Sequence, residues 1–141
     1  MSSAAPPPSR VLCLYYGFLL LTTALSHGMP YPLFGAMLTG HAATAALVVD
    51  CLLLIHLVVG VARAQQLTWY LLLGYNAVNL LSLLVTLVVR SPGELSALLG
   101  STEPTPSFYT GVGLAVIAML VATAYAVRAR HRFHNPSPYL F

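Results

Sequence analysis

Residues 42–62 read AATAALVVDCLLLIHLVVGVA, an apolar run interrupted only by Asp50 and His56. A bilayer core about 30 Å thick takes about 20 such residues as a helix. Working outward, two more runs have this character. Leu67–Val89 is apolar except for Asn76, Asn79 and a few hydroxyls, and Phe108–Val127 carries no charge. A fourth run, Val11–Ser26, lies at the lower edge of the usual ~17–25 residues. A membrane strand needs only about 9–11 residues and alternates polar with apolar. These runs are longer and do not alternate, and satisfying every backbone group in lipid then requires the α-helix.

The expected fold is therefore all-α, an integral membrane four-helix bundle running up-down-up-down. The spacing predicts helices over about 11–27, 41–63, 67–90 and 108–130, with a short interfacial helix over about 92–99. Residues 1–10 read as a disordered Pro/Ser/Ala tail, 11–130 as the membrane domain and 131–141 as a C-terminal tail. The alternative for the first run is a cleaved signal peptide, since Arg10 precedes it and Ala24-Leu25-Ser26 resembles a cleavage site. Its apolar stretch is long for that purpose, and the Pro6-Pro7-Pro8 start is unusual.

Composition agrees. Of 141 residues, 58% are hydrophobic and 6% charged, with six Lys+Arg and three Asp+Glu. A soluble domain carries roughly 25% charge, so the chain is not expected to be a soluble enzyme, a disordered chain or a nucleic-acid binder. The pI near 9.1 comes from arginines alone.

Those arginines orient the bundle. With four spans, Arg10, Arg63, Arg128, Arg130 and Arg132 share the side of the termini, and Arg90 lies opposite with Glu94 and Glu103. The positive-inside rule then places both termini in the cytoplasm, in a multi-pass protein of the cell (inner) membrane. Tyr15, Tyr16, Trp69, Tyr70 and Tyr125 near one set of helix ends, and Tyr31, Phe34, Phe108 and Tyr109 near the other, suit two interfacial belts. Between the spans, Gly28–Gly40 reads as an uncharged outer loop and Ala64–Gln66 as a tight inner turn. Ser91-Pro92-Gly93-Glu94 has the form of a capping box, and Ser101–Ser107 reads as a linker.

In lipid, polar and small residues mark the packed faces. Tyr75, Asn76, Asn79, Ser82 and Thr86 fall within one stripe about 120° wide on the third helix. Tyr15, Tyr16, Thr22, Thr23 and Ser26 form a weaker stripe on the first. Gly111, Ala115, Ala118, Ala122, Ala126 and Ala129 form a small-residue face on the last. Asp50 lies about 12 Å deep at 1.5 Å per residue, where a charge costs at least ~2.5 kcal/mol. Depth matching makes Asn79 and Ser82 its expected partners, as a helix-to-helix staple or as an ion- or proton-handling acid. His56 lies level with Tyr75 and Asn76 and about 120° around the helix from Asp50. The candidate polar cluster is thus Asp50, His56, Tyr75, Asn76, Asn79 and Ser82.

No cofactor or metal is expected. A bis-histidine haem needs axial ligands on facing helices, and the third and fourth helices contain no histidine; the one pair placed to oppose each other, His27 and His41, lies near the outer surface. His131 and His134 fall in the C-terminal tail. Cys13 and Cys51 form no CxxC pair, and no nucleophile set, P-loop or HExxH is present. The expectation is a non-enzymatic accessory, assembly or structural subunit of a larger membrane complex. The alternative is a small oligomeric proton- or cation-coupled transporter or channel component using Asp50. Its partners are the lipid bilayer and other membrane subunits or further copies of itself, with no nucleic acid.

Overall fold

The computed structural model describes residues 8–98 and 105–136. The expected disorder of residues 1–7, the stretch 101–104 with Glu103 and Pro104, and the end of the tail from 137 onward lie outside the described residues. The described residues are mostly helical (79%). Its elements are α1 (Pro8–Leu25), β1 (Tyr31–Leu33), β2 (Ala36–Leu38), α2 (Gly40–Ala62), α3 (Gln66–Val89), α4 (Pro92–Leu98) and α5 (Thr105–Arg128), followed by a 3-10 turn at Arg130–Arg132. Among the described residues, three helices are long and apolar enough to cross a membrane, at Gly40–Ala62, Gln66–Val89 and Tyr109–Arg128. The apolar part of α1, Arg10–Leu25, is shorter.

α2 ends in a Schellman motif. Gln65 N–H donates to Gly60 O at 3.0 Å and Ala64 N–H to Val61 O at 3.1 Å, with Ala64 at φ +53. That left-handed residue is usually glycine. The tail holds it in place: Asn135 N–H donates to Ala64 O, Gln66 N–H donates to Asn135 O, and the Asn135 side-chain amide reaches Arg63 O. Just beyond the turn, a Cβ on Gly60 would land on the Thr68 side chain. α2 and α3 therefore converge closely at this end of the bundle.

At the opposite end they are held apart. The stretch expected to be a plain outer loop is corrected to a β-hairpin, with Tyr31 paired to Leu38 and Leu33 to Ala36. Its two-residue tip, Phe34-Gly35, has φ values of +46 and +80. Two positive values suit the type I′ turns that match strand twist, although Phe in place of Asn or Asp is uncommon. The tip is tied to α3: Phe34 N–H donates to Ser82 Oγ and Gly35 N–H to Thr86 Oγ1, each at 3.0 Å, and Arg90 Nε donates to Gly35 O at 3.1 Å. Hydrophobic patterning alone does not announce a hairpin that rests on three side-chain bonds from a distant helix.

α1 packs along α2, burying Leu12 and Tyr16, and the core continues through Leu54, Leu57, Val61, Leu72, Ala126 and Phe133. The capping box forms as expected, with Ser91 N–H on Glu94 Oε2 and Glu94 N–H on Ser91 Oγ. The linker expected to reach Ser107 is already helical from Thr105, because proline is tolerated in a first turn. Trp69 Nε1 donates to Ala126 O at 3.0 Å, and the Arg130 guanidinium lies 5.0 Å over the Trp69 ring. These contacts fasten the start of the C-terminal tail to α3.

Candidate functional site

Because α2 and α3 meet at Gly60 and Thr68 and are wedged apart by the hairpin, a recess of about 590 Å3 opens between them. Val49, Leu53, Leu71 and Val78 line it and are themselves exposed. The opening therefore faces sideways onto the apolar surface of the bundle. Small-molecule sites are mostly apolar clefts of about 300–1,000 Å3 with a few convergent polar groups.

The polar groups here include most of the cluster expected from sequence. Asp50, His56, Tyr75, Asn79 and Ser82 all line the recess. The expected pairing of Asp50 with Asn79 and Ser82 is corrected. Tyr75 donates its hydroxyl to Asp50 Oδ1 at 2.9 Å. Asn79 instead turns back to donate to Tyr75 O at 3.0 Å, a bond within its own helix. Ser82 is occupied by the hairpin tip. Depth alone misassigned the partner because a tyrosine reaches farther than an amide across helices that are splayed.

A second tyrosine, missed by the sequence reading, comes from the hairpin. Burial, and after it the nearby Asp50 carboxyl, pushes the Tyr31 hydroxyl well above the usual phenol range. It therefore remains a donor. The Asp50 side chain is thus bonded to α3 through Tyr75, and Tyr31 of β1 lines the same recess. Nothing in the local sequence Pro30-Tyr31-Pro32 signals this; the hairpin creates it.

Asn76 leaves the cluster. It is buried on another side of α3, where Tyr16 donates to its Oδ1 at 2.9 Å and its Nδ2 donates to Thr123 Oγ1 at 2.8 Å. Thr123, not singled out from sequence, donates its own hydroxyl to Met119 O at 2.8 Å. One amide thereby connects α1, α3 and α5. The rings of Tyr16 and Tyr75 meet edge-on with centroids 6.3 Å apart, so the network abuts the recess without opening into it.

His56 stands differently. Its Nε2 is buried and has no hydrogen-bond partner among the described residues. Buried polar atoms are nearly always paired, so this one is an exception that calls for a reason.

The small-residue face of α5 divides in two. Ala122, Ala126 and Ala129 are buried against the bundle, whereas Gly111, Ala115 and Ala118 are exposed. Of the α5 span, 11% is buried, against 28% for α2. His27 and His41 line a shallow depression beside Gly28 and Gly40 at the hairpin end. Among the described residues, no group of three or more His, Cys, Asp or Glu side chains gathers as a metal site. Comparison of the chain with known protein families, curated proteins and solved structures finds no match.

Proposed function

We propose that this protein is a small multi-pass subunit of the cell (inner) membrane that docks on a larger membrane complex through the exposed half of the α5 small-residue face. The topology proposed is four crossings, up-down-up-down, with both termini cytoplasmic. The tight seat of α1 on α2 supports counting α1 as a crossing rather than a cleaved leader. The observation that carries the docking reading is the division of one stripe. Ala122, Ala126 and Ala129 serve as a close-packing surface. Gly111, Ala115 and Ala118 continue it at the same spacing and are exposed among the described residues. Small residues let backbones approach closely, which is how helices associate in lipid.

Mild detergent extraction followed by native mass measurement tests this. A hetero-complex that cross-links from a cysteine at Ala115 supports docking. A monomer that exchanges only lipid at that position overturns it. For topology, a reporter after Phe141 is expected inside and an Ala97→Cys label outside; the reverse pattern overturns the orientation.

A second reading, proton- or cation-coupled transport, is favoured by the position of Asp50 within the recess. Asn at this position keeps an acceptor for Tyr75 but cannot exchange a proton. Under this reading Asp50→Asn assembles normally and loses a pH-dependent flux in proteoliposomes; unchanged flux removes the reading.

A further inference from the structure

Where α3 begins and α5 ends, the two helices and the 3-10 turn line an open depression of about 440 Å3. Trp69 and Phe133 are its buried lining residues. Gln66, Tyr70, Arg128, Arg130 and His131 bring donors to it, and among the described residues none of these five side chains makes a hydrogen bond or ion pair. The acidic side chains of the chain are Asp50, Glu94 and Glu103. Asp50 is about 18 Å from the Ala62 end of α2 at 1.5 Å per residue, Glu94 belongs to α4 beyond the other end of α3, and Glu103 comes before α5 begins. Two arginines and a histidine therefore gather without an acidic side chain to neutralise them.

One of these cations is held in position. The Trp69 indole is fixed by its bond to Ala126 O, and the Arg130 guanidinium rests 5.0 Å over that ring. This contact spends none of the guanidinium N–H groups, and their planar fork matches the oxygens of a phosphate. Beside the depression the surface turns apolar, with Leu67, Tyr70, Leu71 and Val127 exposed.

We propose that the depression binds the phosphate headgroup of an anionic phospholipid, whose acyl chains continue along Leu67 and Leu71. A soluble phosphate or an acidic peptide meets the cations and leaves the apolar strip uncovered, whereas a lipid covers both. Phosphatidylcholine offers the same phosphate but brings a quaternary ammonium to a group that is already cationic. Basic pockets between membrane helices, flanked by interfacial Trp and Tyr, suit anionic headgroups. The proposal rests on the membrane reading above and is independent of Asp50 and of a docking partner.

Trp69 is the single tryptophan, so its fluorescence reports on this place alone. The full chain is reconstituted in nanodiscs of phosphatidylcholine with a rising fraction of phosphatidylglycerol, and the bromine quencher is carried on the acyl chains of one lipid or the other. Brominated phosphatidylglycerol is expected to occupy the site with about ten-fold preference. Arg128→Gln and Arg130→Gln are each expected to lower that preference about five-fold, the usual contribution of one arginine near an anionic surface. Arg128 does not stack on Trp69, so its variant is free of any direct change in the indole. Arg132→Gln removes the same charge from the same turn but lies outside the lining, and is expected to change the preference little. Quenching that follows mole fraction alone in the wild type overturns the site. An equal loss in all three arginine variants shows a diffuse charge field and overturns it as well. Displacement of the lipid by millimolar glycerol phosphate makes it a site for soluble phosphate and overturns the lipid assignment. Quenching by neither brominated lipid overturns the membrane reading and this proposal with it.

Discussion

The Tyr16 hydroxyl donates to Asn76 Oδ1 at 2.9 Å across two helices that lie sixty residues apart in the chain. The same amide continues to Thr123 on α5, so one buried side chain carries the register of three helices. A hydrogen bond between membrane helices contributes about 0.6–2 kcal/mol. Asn76→Leu is expected to lower stability by at least that much in reversible detergent unfolding, and Tyr16→Phe by less. The double variant is expected to cost less than the sum of the two, because both remove the same bond. Strict additivity would show that the pair does not act together.

Two glycines on neighbouring helices are expected to respond oppositely. Gly60→Ala places a Cβ on the Thr68 side chain and is expected to cost about 1–3 kcal/mol, the usual range for overpacking. Gly74→Ala meets nothing within 4 Å and gains up to about 1 kcal/mol of helix propensity. Thermal unfolding of the two proteins in one detergent checks the sign of each effect.

On α5, Ala118 and Ala122 separate assembly from folding. Ala118 is exposed and Ala122 buried. Ala118→Leu is expected to weaken recovery of the native complex while the isolated chain keeps its unfolding midpoint. Ala122→Leu is expected to lower the midpoint itself, and Leu120→Ile to change neither. If Ala118→Leu assembles as well as wild type, that half of the face meets lipid.

Tyr31 supplies a pH-dependent test of the hairpin. Its folded-state value is raised above the ordinary phenol value near 10, chiefly by burial and then by Asp50. The unfolded chain therefore loses this proton first as pH rises. The contribution of Tyr31 is fully present below about pH 10 and is lost as pH climbs through the raised folded value. The absorbance difference between wild type and Tyr31→Phe is expected to show one tyrosine that ionises only above the ordinary range. A normal titration for that residue would place the hairpin away from Asp50.

Local composition and periodicity determined the helices of this chain. Uniform apolar runs of membrane length admit only one backbone solution in lipid, and Ser91 with Glu94 marked the start of α4. The residues of the recess were legible as well, since Asp50, His56 and the α3 stripe are polar where polarity is expensive. Their partners were not. Which groups meet depends on the angle between α2 and α3, and that angle follows from Gly60 meeting Thr68 at one end and Phe34-Gly35 bonding Ser82 and Thr86 at the other. The hairpin has no Asn-Gly signal and exists through bonds to side chains about fifty residues away. Only the tertiary structure therefore decided that Asp50 pairs with Tyr75 beside Tyr31, that Asn76 staples α1 to α5, and that His56 Nε2 is buried without a partner among the described residues. Helix type follows from interactions a few residues apart, whereas splay and side-chain partnership follow from contacts between segments that approach only when the chain has folded.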